Sequence, residues 1–119
     1  MPLFAVIGAI AAGLGVALGA FGAHGLEGRV TPERLETYET AVEYQMYHAL
    51  ALLFTGWAAT QGWDVTWAGY SFFAGILIFC GSLYLLVLTD TAWLGAVTPI
   101  GGVAFILGWA FLAWSLIQG

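Results

Sequence analysis

Apolar and polar positions along the chain sort into four segments. Residues 3–23 carry no charged or polar side chain at all. Crossing the bilayer core takes roughly 20 residues of helix, so this run predicts a membrane helix. A secretory leader would place basic residues ahead of a shorter apolar core; the segment is therefore expected to be a retained span. Residues 25–30 form a short loop. Thr31 is suited to cap a helix, Pro32 to occupy its first position, and Glu33 and Glu36 to sit at its positive end. The helix predicted over 32–60 is polar in its first turns and apolar from about Tyr44. It is expected to start in water or among headgroups and to enter the membrane there. Residues 61–66 make a second loop, containing Gly62 and Asp64. A third apolar run covers 67–88. Thr89, Asp90 and Thr91 form a tight connection, and a fourth segment covers 92–117. Pro99, Gly101 and Gly102 predict a kink or softened turn in its first half.

This pattern predicts an all-α membrane protein, a four-transmembrane-helix up-and-down bundle. Residues 1–119 form one domain, with helices over about 3–23, 32–60, 67–88 and 92–117. The second helix has an amphipathic N-terminal extension. Composition strengthens the membrane assignment: 61% of the 119 residues are hydrophobic and 8% charged, against about a quarter charged in soluble domains. The net charge of -5 is concentrated. Glu27, Arg29, Glu33, Arg34, Glu36, Glu39 and Glu43 share one segment, and only Asp64 and Asp90 lie outside it. Two arginines and no lysine give no basic patch for nucleic acid. The lone Cys80 has no partner for an internal disulfide and no metal-type spacing. The expected location is a bacterial inner (cytoplasmic) membrane, in multi-pass form.

Small residues recur through the apolar runs. Gly15 and Gly19, with Ala23, follow a four-residue spacing that lets helix backbones approach in lipid; Gly101 and Gly102 are candidates for the same role. Packing within one chain is preferred to an oligomer interface as their purpose. Trp57, Trp63, Trp67, Trp109 and Trp114 are assigned to one end of the bundle, with Trp93 at the other, as interfacial anchors.

Up-and-down connectivity brings the first and third loops to the same membrane side. The polar groups expected there are His24, Tyr44, Gln45, His48, Tyr84 and Thr98, with Glu43, Tyr47, Ser82 and Asp90 nearby. At about 100° per residue, Thr37, Tyr44, His48 and Thr55 fall on one stripe of the second helix. Glu36, Glu39, Glu43 and Tyr47 fall on another. The glutamate stripe is expected to be solvated, and the His48 stripe to face the other helices. A buried imidazole needs a partner. Tyr44, Tyr84, Thr98 or water are the candidates. The six residues are expected to form one hydrogen-bonded cluster joining the helices.

The stretches Leu18-Gly-Ala-Phe-Gly-Ala-His24, Tyr44-Gln-Met-Tyr-His48, Gly81-Ser-Leu-Tyr84, Thr98-Pro-Ile-Gly-Gly102 and Gly108-Trp109 resemble the YgdD-like family of small bacterial inner-membrane proteins. They occur in the same order and cover nearly the whole chain. The resemblance implies a four-helix membrane protein and no known reaction. The positive-inside rule places Arg29 and Arg34, hence the first loop, in the cytoplasm. Basic C-terminal tails in some relatives, which this chain lacks, imply the reverse. The reading adopted follows the relatives, with both termini cytoplasmic.

Three functional classes follow. The preferred one is a non-enzymatic accessory, assembly or structural membrane protein whose partners are membrane lipids and either further copies of itself or a larger membrane complex. The alternative is an oligomeric channel or transporter component, because ionisable residues in membrane segments mark ion paths. Against it, no charge lies deep in the first, third or fourth segment. The third class is a metal, haem or small-ligand site using His24 and His48, although no thiol or further histidine completes a set. Structural, hydrogen-bonded histidines are preferred, and no cofactor is expected. No activated serine or cysteine, zinc-binding helix or phosphate loop is present, so no enzyme is expected.

Overall fold

The computed structural model describes residues 2–119. They form four helices: α1 (Leu3–Leu26), α2 (Pro32–Thr60), α3 (Thr66–Thr89) and α4 (Ala92–Gln118). The molecule is a slender body of 49 × 26 × 18 Å. Helix α1 packs on α2, α2 on α3, and α3 on α4.

The expectation of four transmembrane helices is corrected. Among the described residues, only α1, α3 and α4 are long and apolar enough to cross a membrane. Helix α2 is longer than any of them in regular α-helix, at 29 residues, but its composition is mixed. Glu33, Arg34, Glu36, Glu39 and Glu43 occupy its first half, and Gln45, His48 and Thr55 interrupt its second. The apolar stretch after Tyr44 falls short of the ~20 predominantly apolar residues of a span. Its polar side chains turn inward. Gln45, His48 and Thr55 are all buried, as are Ala41, Ala49 and Leu52 between them. The outer helices behave oppositely. Only 17% of the apolar window of α1 and 22% of that of α4 is buried, against 44% for α3. Ile10, Leu14, Phe21, Ile100 and Ile106 point outward. Lipid is the solvent that accepts such faces.

Local chemistry explains the ends. The Thr31 hydroxyl accepts a hydrogen bond from the Arg34 amide at 3.2 Å, with Pro32 in the first turn. Helix α2 stops at Gly62, whose φ of +91° permits the left-handed residue that closes it. The Trp63 amide then reaches back to the Ala58 carbonyl at 3.2 Å, a Schellman closure. Between α3 and α4, Asp90 takes φ +51°, a conformation aspartate tolerates better than most residues. Its carboxylate lies 3.3 Å from the Arg34 guanidinium, so the first and third connections meet at one end.

Pro99 does not kink α4. That helix opens with a 3-10 turn over Ala92–Ala96, and its α-helical part begins at Thr98. Pro99 therefore sits in a first turn, where no amide hydrogen is missed. The irregularities lie elsewhere, in π-helical turns at Leu18–Gly22 of α1 and Ile76–Cys80 of α3.

A candidate polar lock between the helices

Four separate polar links tie the helices together. The first centres on Gln45 of α2. Its amide nitrogen donates to the Ala11 carbonyl of α1 at 2.8 Å, and its amide oxygen accepts from the Tyr84 hydroxyl of α3 at 2.6 Å. One side chain thus joins three helices. The Ala11 carbonyl can accept because a carbonyl oxygen has two lone pairs.

The second link joins His48 of α2 to Trp109 of α4. The indole Nε1–H donates to His48 Nε2 at 3.1 Å, and His48 Nδ1 lies 2.8 Å from the Tyr44 carbonyl. An indole can only donate and a carbonyl can only accept. The geometry therefore requires the neutral imidazole with its proton on Nδ1. Both ring nitrogens are then satisfied. The ring stacks on Phe105 with centroids 3.6 Å apart and planes 9° from parallel, and Phe72 of α3 flanks it at 5.8 Å.

The third link is between Ser82 of α3 and Thr98 of α4, with hydroxyl oxygens 2.6 Å apart. Ser82 also lies 2.9 Å from the Phe79 carbonyl. Each hydroxyl has one proton, so Thr98 donating to Ser82 and Ser82 donating to Phe79 accounts for both short contacts. A fourth contact sits nearer the first loop. The Tyr38 hydroxyl donates to the Leu18 carbonyl at 2.7 Å, at the start of the π turn of α1. A Cβ at Gly22 would overlap that hydroxyl. Burial pushes the Tyr38 phenol above its ordinary value, which keeps it a donor.

The six residues expected in one cluster are thus divided. Gln45 and Tyr84 are bonded to each other, His48 and Thr98 belong to different links, and Tyr44 offers His48 its backbone carbonyl and a ring stacked at 6.1 Å, but no side-chain hydrogen bond. The Tyr44 ring stacks on Phe79 at 4.7 Å. His24 lies outside these links, its side chain 85% exposed and 3.7 Å from Glu27. Helix register explains the separation. Gly8 of α1 abuts Ala49 of α2, so His48 is level with the first turns of α1. His24 is sixteen residues further on, about 24 Å at 1.5 Å per residue. The two histidines do not meet. Among the described residues, no group of three or more His, Cys, Asp or Glu side chains is arranged to hold a metal ion.

The glycines also divide. A Cβ on Gly101 would collide with the Phe79 backbone. On Gly19 it would meet Val42 Cγ1 at 3.0 Å, on Gly15 Met46 Cε at 3.5 Å, and on Gly102 only Phe79 Cδ2 at 3.9 Å. The tightest backbone-to-backbone α1–α2 approaches are at Gly8, where a Cβ would lie 2.6 Å from the Ala49 oxygen, and at Gly56, where a Cβ would strike the backbone of Ala5.

Trp109 is the functional partner that sequence reasoning missed, having grouped it with the interfacial tryptophans. Its position carried the signal. It lies nine residues inside the end of α4, about 14 Å from that end. It also follows Phe105 by four residues, on the same helix face. Tyr38 and Ser82 were likewise outside the six.

Comparison with known proteins places the chain among membrane proteins of unknown function. Residues 18–102 match the family described as "Protein of unknown function (DUF423)". A "UPF0382 membrane protein" of Staphylococcus aureus (strain bovine RF122 / ET3-1) is 53% identical over 113 residues, covering 94% of this chain and 93% of the relative. The UPF0382 membrane protein YwdK of Bacillus subtilis (strain 168) is 48% identical over 99% of this chain and 98% of its own length. No solved structure matches. The chain is a small multi-pass integral membrane protein of unknown biochemical role, and it belongs to the DUF423 family.

Proposed function

We propose that this protein is a non-enzymatic accessory or structural component of the bacterial inner (cytoplasmic) membrane. One observation carries the reading: of the four buried polar side chains, Gln45, His48 and Ser82 are engaged in helix-to-helix links, and Thr55 is satisfied by the Ala51 carbonyl of its own helix. Among the described residues, no buried side-chain nitrogen or oxygen lacks a hydrogen-bond partner. Gln45 spends its amide on Ala11 and Tyr84, and His48 spends both ring nitrogens on Tyr44 and Trp109. A proton path or ligand site needs groups with spare valence facing a cavity, whereas these hold the four helices in one arrangement. Helical spans of this kind fit an inner membrane, since outer-membrane spans are closed barrels.

The outward chemistry lies on the polar half of α2. Glu36, Glu39, Glu43 and Tyr47 are exposed together along that helix. In this reading they dock a basic segment of a larger membrane complex. Photo-crosslinkers placed at Glu39 and Tyr47 in living cells should give one discrete adduct. Replacing Glu36, Glu39 and Glu43 by glutamine should remove an adduct formed from Tyr47 without lowering thermal stability. Uniform labelling of lipid alone would sink the docking part. Metal or haem co-purifying in fixed ratio, and lost in His48→Ala, would replace the whole reading with a ligand site.

A further inference from the structure

The end of the molecule opposite the Arg34–Asp90 pair holds a feature that the polar lock does not use. The second loop and the last turns of α4 enclose a cavity of about 510 Å³, within the roughly 300–1,000 Å³ range of small-molecule sites. Trp63, Trp67, Phe111 and Trp114 line it, together with Asp64 and Ser115. We infer that this bowl is a binding site for an alkylammonium cation, held by the indole faces and the Asp64 carboxylate.

Charge is the first support. Asp64 is the sole charged side chain between Glu43 and Asp90, and none follows Asp90. Asp64 lines the bowl, and among the described residues its carboxylate pairs with no arginine, lysine or histidine side chain. The one hydrogen bond to that carboxylate among the described residues is a long one, 3.5 Å, from the Thr66 amide to Oδ1. Aromatic chemistry is the second. Indole is the best side-chain surface for a cation, and three indoles line the same bowl as Asp64. Trp67 and Trp114 are 70% and 61% exposed, so their rings are available.

The bowl is also a built feature. Gly62 turns the chain so that Trp63 folds back on the core, and the Ser115 hydroxyl donates to the Asp64 carbonyl at 2.6 Å. That bond fixes the loop against α4. Phe111, Trp114, Ser115 and Gln118 recur at the three- and four-residue spacing of one helix face. Interfacial anchoring alone explains tryptophans that point into lipid. It does not call for three of them to line one cavity with an acid. Trp57 is exposed nearby and lies outside the bowl, which is how an anchor alone behaves. The bowl stands where α3 begins and α4 ends, at headgroup depth. Its cation can come from a zwitterionic lipid headgroup or from a soluble quaternary amine.

The test uses the full chain in maltoside, with choline as probe and its neutral carbon isostere dimethylbutanol as control, read by tryptophan fluorescence. Choline should give a saturable change and the isostere none. Asp64→Asn should weaken choline binding about tenfold or more, because it removes the only charged side chain lining the bowl. Trp114→Phe should retain part of the affinity that Trp114→Leu loses. In nanodiscs, choline binding blocked by phosphatidylcholine but not by phosphatidylglycerol identifies the headgroup as the source. Binding unaffected by either lipid identifies a soluble amine. Equal responses to choline and the isostere, or unchanged choline binding in Asp64→Asn, would overturn the site. The isostere comparison needs no variant, so it stands even where a substitution impairs folding.

Discussion

The two outer seams of the molecule lean on glycine differently, although Gly22 of α1 lies under the Tyr38 side chain and Gly101 of α4 against the Phe79 backbone. Where α1 meets α2, glycine lets backbone meet backbone. Gly8 faces the Ala49 carbonyl, and Gly56 faces the main chain of Ala5. Where α3 meets α4, two glycines form sockets for rings. Phe105 of α4 fills the space over Gly75 of α3, and Phe72 of α3 fills the space over Gly108 of α4. The exchange is reciprocal, and both rings also flank His48. Helices in lipid gain little from burying apolar surface against one another, since lipid tails are equally apolar, so close contacts must hold them. One seam obtains those contacts mainly by backbone approach, the other mainly by interlocking large side chains. The aromatic seam should therefore be sensitive to removal of volume, and the glycine seam to its addition.

The largest effect is expected at the aromatic seam. Phe105 is 4% exposed and stacked on His48. Phe105→Ala leaves a void bordered by Gly75, which cannot fill it, and should cost roughly 3 kcal/mol. Reversible unfolding in mixed micelles measures this. A loss under about 1 kcal/mol would mean that α4 settles onto α3 without the ring, and that the interlock is not what holds the seam.

How far the sequence revealed this arrangement differs from place to place. Helix boundaries carry local chemistry. Thr31 and Pro32 announce the start of α2, and Gly62 its end, because caps and left-handed closures are made by the residues themselves. Depth is not a local property. Matching polarity and assumed connectivity set His24 beside His48, whereas the Gly8–Ala49 contact sets the register and separates them. The π turns at Leu18–Gly22 and Ile76–Cys80 had no signal in the local pattern; Tyr38 bonds the Leu18 carbonyl at one, and Phe105 packs on Phe79 at the other. The count of spans failed for a related reason. A stripe of polar residues along α2 shows which face turns inward, but not that the remaining apolar residues are too few for a span. Gln45 and Tyr84 could be singled out as polar groups in an apolar setting. That they bond to each other, while Thr98 turns to Ser82, depends on how α2, α3 and α4 are rotated about their axes.

A second, smaller effect should appear at the glycine seam. Gly56→Val places its side chain against the Ala5 backbone, which can move only by shifting α1. A cost of roughly 2 kcal/mol is expected, typical of an over-filled contact. The matched control is Gly13→Val on the same pair of helices, where nothing lies within 4 Å of a new Cβ. Its stability should be unchanged within about 0.5 kcal/mol. Equal losses at the two positions would show that valine disturbs the chain by itself and that close approach is not the cause.

The smallest effect, and the most specific, is expected at the link between the seams. Trp109→Phe keeps a ring against Phe72 but removes the only donor to His48 Nε2. Hydrogen bonds between membrane helices average about 0.6 kcal/mol, so stability should fall by about that amount. The more telling readout is the ring itself. In the parent protein, nitrogen NMR of His48 should show the proton on Nδ1 and a hydrogen-bonded acceptor at Nε2. In Trp109→Phe the Nδ1 proton should persist, because the Tyr44 carbonyl still accepts it at 2.8 Å, while the Nε2 resonance shifts towards that of a free acceptor. A proton found on Nε2 in the parent would contradict the tautomer, since two donors cannot share one contact. The α2–α4 link would then have to rest on the stacking of His48 against Phe105 alone.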